Sequence, residues 1–155
     1  MICGGFSDLF FSVTGIFFLK PGKKAFDKEK IAGFLSEKGV ALYDAASSVR
    51  RLQDNASDKF LEVVEPTDIG LLLRQLPQCR GIVTTGQKAT DVVCETFHIE
   101  PPSMGERQLF EFADRKLYLY RMPSSSRAYP LKLEKKAEVY RKMLADFGLI
   151  EMDNF

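Results

Sequence analysis

Apolar and polar positions alternate along this chain in a way that divides it into short elements joined by short polar links. From Asp27 the period is helical: Ile31, Phe34 and Leu35 share one face while Lys28, Glu29, Lys30 and Glu37 take the other. Asp27 is placed to cap this helix and Gly39 to end it. Val40-Ala-Leu-Tyr-Asp44 follows at once and predicts a short apolar strand. The stretch from Ala45 to Asp58 is polar, and apolar character returns at Phe60, Leu61, Val63 and Val64. Thr67 or Asp68 opens a second helix over Ile69 to Gln75, closed by Pro77. Gly81-Ile-Val-Thr-Thr85 predicts a strand, and Gly86-Gln-Lys88 turns into a helix carrying Ala89, Val92, Val93 and Phe97. This order of helices and strands predicts parallel strands joined by crossovers.

Past Pro101-Pro102, Leu109 to Phe112 alternates against Leu117 to Tyr120, with Ala113-Asp-Arg-Lys116 between them as a hairpin turn. The pattern therefore predicts an antiparallel edge hairpin beside three parallel strands near Val40 to Tyr43, Gly81 to Thr85 and Lys116 to Arg121, with helices on both faces. A last helix from Leu131 to Phe147 spaces Leu133, Ala137, Tyr140 and Leu144 along one side, and Gly148 stops it. Lys132, Lys135, Lys136, Arg141 and Lys142 give it a basic outer face, which reads as solvation. The amino end, Met1 to Lys20, has no basic region ahead of its apolar run and carries Asp8, so it does not read as a signal peptide. Leu9 to Leu19 is too short for an ordinary membrane span and reads as core packing. Both a helix face (Phe10, Phe11, Ile16, Phe17) and a buried strand (Val13 to Leu19) fit it, and Pro21-Gly22 ends either.

Composition narrows this picture in three ways. A length of 155 residues suits one domain spanning 1–155 with a sizeable core. The net charge of +1 excludes a strongly cationic DNA-coating protein but leaves room for a local basic face. Cys3, Cys79 and Cys94 have no CxxC spacing, which argues against a disulfide framework or a zinc site and for reduced thiols in a cytoplasmic protein. His98 is the only histidine, which argues against histidine metal clusters and a Ser-His-Asp triad. No cofactor, metal or membrane partner is expected.

Candidate chemistry concentrates where the Leu117 to Tyr120 strand ends at Met122-Pro123 and runs into Ser124, Ser125, Ser126 and Arg127. Hydroxyls, amides and a guanidinium at the carboxyl end of a strand are suited to an anionic ligand, since small side chains let a phosphate approach closely. The same composition also suits a solvated linker. Asp44, Arg50, Arg51, Gly86 and Lys88 are candidates for the rim of such a site. For each there is a plainer reading. Asp44 can cap a turn, the arginines can sit in a solvated loop, and Gly-Gln-Lys is too short for a P-loop.

Four segments in order then suggest a family: Gly39-Val-Ala-Leu-Tyr-Asp-Ala-Ala46 with Ser47 to Arg51, Glu65-Pro-Thr-Asp68, Gly81 to Ala89, and Arg121-Met-Pro-Ser-Ser-Ser-Arg-Ala-Tyr129. From Phe26 to Leu149 the chain resembles the uracil-DNA glycosylase superfamily, in particular the hypoxanthine (deoxyinosine) glycosylase branch. The resemblance implies a three-layer α/β/α sandwich around a mainly parallel sheet, with DNA bound at the carboxyl ends of the strands. It also implies that Ser124 to Ser126 and Arg127 contact DNA phosphates. The family's opening strand and Gly-Ser-Met-Pro-Gly-like loop, with the residues that form the base pocket and position water, have no match before Phe26. Asn55 and Asn154 are the only asparagines, and neither stands in the required place. The chain thus reads as the carboxyl-terminal three quarters of a glycosylase-like domain. It is expected to bind or act on uracil- or hypoxanthine-containing DNA with weak or no base release. The alternative is a non-catalytic α/β binding module for another phosphate-bearing ligand.

Overall fold

A computed structural model describes residues 27–52, 61–126 and 129–151. In chain order the elements are α1 (Lys28–Lys38), β1 (Ala46–Arg51), β2 (Leu61–Pro66), α2 (Ile69–Gln75), β3 (Gly81–Thr85), α3 (Gln87–Phe97), β4 (Arg107–Phe112), β5 (Arg115–Met122) and α4 (Leu133–Asp146). The fold is mixed α/β with two sheets, an antiparallel β1–β2 ribbon and a three-stranded sheet in the order β3-β5-β4. Two compact units divide it, Asp44–Ser124 and another drawn from the flanking residues on either side. No described helix is long and apolar enough to cross a membrane.

In the unit Asp44–Ser124 the organising element is β5. It pairs in parallel with β3, Gly81 facing Tyr118 and Thr85 facing Met122, and antiparallel with β4, Arg107 facing Tyr120 and Phe112 facing Arg115. A strand laddered on both edges keeps no solvent-facing backbone edge, and Leu117, Leu119 and Met122 of β5 are wholly buried. Leu117 and Leu119 point into a core shared with Ile69 and Leu73 of α2, Val92, Val93 and Cys94 of α3, and Phe110 of β4. Burial of each leucine contributes about 1.5–3 kcal/mol. Phe97, at the end of α3, closes this core against β4, its ring 5.0 Å from that of Phe110 and 5.3 Å from that of Phe112.

The expected edge hairpin is present, with a turn of two residues. Ala113 and Asp114 both have positive φ, 49° and 61°, which the right-handed twist of a tight hairpin demands. The helix boundaries also follow their caps. The Asp27 carboxylate accepts from the Lys30 amide at 3.1 Å, and that of Asp68 accepts from the Leu71 amide at 2.8 Å. At the other end of α2, the Arg115 guanidinium donates to the carbonyls of Leu73, Leu76 and Pro77 at 2.8–3.0 Å. Two of these carbonyls also accept backbone amides, Leu73 from Leu76 at 3.2 Å and Leu76 from Cys79 at 3.0 Å, so the guanidinium reinforces the helix stop.

The predicted strand at Val40 to Tyr43 does not form. Val40 gives its amide to the Leu35 carbonyl as part of the α1 stop at Gly39, whose φ is 65°, so no ladder can begin there. Leu42 and Tyr43 are 48% and 74% exposed. The pairing lies further on, in the stretch read as merely polar: β1 pairs antiparallel with β2 through a bulge between Ala46 and Val49. Among the described residues the only parallel pair is therefore β3–β5, not a set of three strands. The Val13 to Leu19 segment lies outside the described residues.

In the other unit, α4 buries Lys136, Ala137, Tyr140, Met143 and Leu144. Two sequence expectations are corrected here. Leu133 is 38% exposed, and Lys136, assigned to the basic outer face, is 4% exposed. Residue 136 lies one position before Ala137 and four before Tyr140, so it falls on the same buried face. Lys132, Lys135 and Lys142 do face solvent. Leu144, Leu149 and Ile150 line one cleft with Phe34, Leu35, Lys38 and Val40 from the end of α1.

Two stability measurements follow. Arg115→Ala leaves the end of α2 without its charged donor and lowers unfolding free energy by about 1–3 kcal/mol in urea denaturation. Lysine at 115 recovers only a fraction, because a point charge cannot serve three carbonyls as a planar fork does. The double change Ala113→Asn with Asp114→Gly suits both positive-φ positions and raises stability by about 1 kcal/mol. A lower urea midpoint for the double variant would contradict the turn geometry.

Candidate functional site

The parallel register of β3 and β5 brings their carboxyl ends to one level. Thr85 lies opposite Met122, and the next amide, that of Gly86, donates to the Met122 carbonyl at 3.1 Å. Gly86 has φ 97° and ψ 169°, a conformation essentially reserved for glycine, and α3 starts immediately after it. A side chain at this position would meet the Cβ of Ser124 at 3.7 Å. Gly86 and Ser124 therefore stand side by side, one where β3 enters α3 and the other where β5 leaves the sheet.

The backbone beneath this pair is held by two buried hydroxyls. Thr84 Oγ1 and Thr90 Oγ1 are 2.9 Å apart, Thr84 Oγ1 reaches the Tyr120 carbonyl at 3.2 Å, and Thr90 Oγ1 reaches the Gly86 carbonyl at 2.9 Å. Two hydroxyl protons serve two of these three contacts at a time, and between them they tie β5, the turn and α3 and fix the direction in which α3 leaves the sheet. The first turn of α3 has no side-chain cap and no acidic residue, and it carries Lys88, which is exposed. Its leading amides have no partner within the helix, so this end of α3 is electropositive.

A guanidinium that the sequence reading did not single out lies against the same turn. Arg121, near the end of β5, donates through Nη1 to the Pro102 carbonyl at 3.1 Å and through Nη2 to Gln87 Oε1. Its Nε is buried without a hydrogen-bond partner among the described residues. Gln87 passes the connection on by donating to Asp91 Oδ1 at 2.6 Å. Strand alternation held the clue: with Leu117 and Leu119 inward, residue 121 falls on the side of α3.

The remaining candidates are dispersed. Asp44 precedes β1 instead of ending a strand; it is exposed, and its carbonyl accepts from Thr67 Oγ1 at 2.7 Å. Arg50 and Arg51 lie on the exposed β1–β2 ribbon, Arg50 within 3.4 Å of Glu62. A solvated pair of this kind contributes little to stability. Ser125 and Ser126 fall in the unit that contains α4, and Arg127 lies outside the described residues. His98 forms the left-handed cap that ends α3, its φ at 53°. Burial, chiefly, pushes the Cys94 thiol above its ordinary value, with Asp91 adding to the rise and Arg121 opposing it. A thiol raised in this way is a poor nucleophile. The side chains gathered at the β3 and β5 ends thus suit holding an anion, with the Asp91 carboxylate joined to them through Gln87.

Comparison with family models, with curated proteins and with solved structures gave no match to this chain.

Proposed function

We propose that this chain is a glycosylase-like DNA-binding protein that holds backbone phosphates at the carboxyl ends of β3 and β5 and has little or no base-releasing activity. The observation that carries this reading is the adjacency of Gly86 and Ser124, beside the uncapped start of α3. Backbone amides, a hydroxyl and the Lys88 ammonium there match what phosphate oxygens require. Arg121 lies behind this turn and adds fixed positive charge. Along the chain Ser125, Ser126 and Arg127 follow Ser124, within the last of the four segments that resemble the uracil-DNA glycosylase superfamily. The three-layer sandwich with a mainly parallel sheet and the hypoxanthine-branch relationship belong to the same proposal.

Excision of a flipped base needs a group that orients water and stabilises the developing charge, and flipping alone leaves most of the barrier standing. Asp44, read from the sequence as a possible rim residue, is exposed ahead of β1. Purified protein is therefore expected to release no uracil or hypoxanthine from oligonucleotides above background, while binding duplex DNA with salt-dependent affinity. Multiple-turnover base release would overturn the catalytic half of this reading.

The binding half rests on a salt titration. Lys88→Ala is expected to make the dependence of log affinity on log salt shallower by about one phosphate contact. Ser124→Ala should weaken binding by about 0.5–1.5 kcal/mol with a smaller change in slope. Arg127→Ala is expected to act as Lys88→Ala does, with thermal stability nearly unchanged. Equal slopes and equal affinities for wild type and all three variants would remove DNA phosphate binding from this site.

A further inference from the structure

We propose that β4 is a self-complementary edge through which two copies of this chain pair as antiparallel strands about a two-fold axis at Leu109, with Glu111 of each copy facing Arg107 of the other. This edge lies wholly within the unit Asp44–Ser124, across β5 from β3.

Among the described residues β4 has one hydrogen-bonded neighbour, β5, and stands at the end of its sheet. The phase of that pairing decides which residues turn their backbone outward. On its other side β5 bonds to β3 through even-numbered residues: the Tyr118 amide donates to the Arg80 carbonyl at 3.1 Å, and the Met122 carbonyl accepts from Gly86. Toward β4 it uses the odd ones, the Arg121 amide donating to the Glu106 carbonyl at 3.1 Å. Antiparallel ladders bond through every second residue, which gives Gln108, Phe110 and Phe112 to β5 and turns the amides and carbonyls of Leu109 and Glu111 to the outer edge. Edges of this kind are ordinarily blunted by a bulge, a proline or a lysine. In β4 the register with β5 runs without a shift from Arg107 to Phe112, and the strand reads Arg-Gln-Leu-Phe-Glu-Phe. Leu109, in the middle, is 47% exposed.

Few registers can join two such edges, since outward residues must meet outward residues. Glu111 against its own copy would set two carboxylates together, and Arg107 against its own copy two guanidinium groups. The registers on either side of Leu109 lay the leucine against a charge. The register centred on Leu109 sets leucine against leucine and, two residues away on each side, Glu111 against Arg107. These three side chains share one face of the sheet, opposite to the face on which Phe110 enters the core. Arg107 is fixed there by donating to Tyr120 Oη at 2.9 Å and by standing 4.5 Å over the Tyr118 ring. Its guanidinium thus selects the register from a set position, while the pairing itself draws on the backbone of Leu109 and Glu111 and on apolar contact at Leu109. Each copy covers the same edge of the other, so the assembly closes at two. One short strand pair is small beside a standard interface of about 1,600 Å², and a weak dimer that forms as concentration rises is expected.

The test is sedimentation equilibrium of the full chain over a concentration series, with amide hydrogen exchange at low and high concentration and a thermal melt of each variant. Wild type is expected to pass reversibly from monomer to dimer, the Leu109 and Glu111 amides gaining protection as it does. Leu109→Lys and Glu111→Arg, both at exposed positions, should weaken the dimer about tenfold or more with melting temperature nearly unchanged. Arg107→Glu alone should also fail to pair with itself, yet mixed with Glu111→Arg it should form a heterodimer, because the two changes exchange the charges across the register. If Arg107→Glu does not fold, Leu109→Cys decides in its place. Oxidation is expected to link two copies through position 109, where facing α-carbons would stand about 5.5 Å apart, and absence of that link overturns the proposal. A dimer insensitive to Leu109→Lys and Glu111→Arg, or species larger than two, assigns association to another surface and overturns it as well. So does a wild-type chain that remains monomeric up to about 1 mM.

Discussion

Everything described in the unit Asp44–Ser124 depends on β5 having a hydrogen-bonded neighbour on each edge. Its backbone groups face strands, not water, which allows Leu117, Leu119 and Met122 to be wholly enclosed. The strand also carries an arginine near either end, and each binds the terminus of a helix. Arg115 serves the carbonyls that finish α2, and Arg121 meets the residue that starts α3. Opposite helix poles both attract a guanidinium here because Arg115 uses the carbonyls directly, whereas Arg121 works through the Gln87 side-chain oxygen. At α3 the positive pole and the cation stand together. Such an arrangement costs electrostatic energy, which an anion at this turn would offset.

Stiffness at that end of the sheet comes from apolar and polar packing in concert. The Thr84 and Thr90 hydroxyls lie under a turn whose glycine conformation other residues tolerate poorly, so the direction of α3 is over-determined. A rim fixed before its ligand arrives loses little conformational freedom on binding. Chemistry makes a different demand, a titratable group at a fixed distance from the reacting bond, and three of the described residues of this type have other settings. His98 ends a helix, Cys94 is held protonated in the core, and Asp44 is in solvent.

Much of the fold was legible in the sequence where local chemistry decides it. Asp27, Asp68, Gly39 and Gly148 mark helix ends because a cap acts within one turn, and β3 and the β4–β5 hairpin follow from alternation and from a turn read at Ala113 to Lys116. The failures are non-local. Val40 to Tyr43 has strand composition, but the helix stop consumes the amide of Val40. The β1–β2 pairing joins two segments across an intervening stretch that period alone does not reveal. Lys136 was misread for a related reason. Its residue type argues for solvent, and only its phase with Ala137 and Tyr140 places it inside. Of the candidate residues, Gly86 and Ser124 stand side by side in the structure. Arg121 passed unnoticed because a strand-end arginine looks like an ordinary boundary.

The β1–β2 ribbon has a consequence for motion. Val49 and Val64 are about half exposed, the β1 positions from Ser47 onward face water, and the ladder is interrupted by a bulge. Two strands with so little apolar cover are barely stable by themselves, so the ribbon should open far more often than the sheet around β5. Amide hydrogen exchange would register this as protection well below the global unfolding limit, and protection in β1 equal to that in β5 would contradict it. Because Arg50 and Arg51 ride on this ribbon, any partner that gripped them would spend part of its binding energy quieting it, and the arginines would contribute less affinity than their charge suggests.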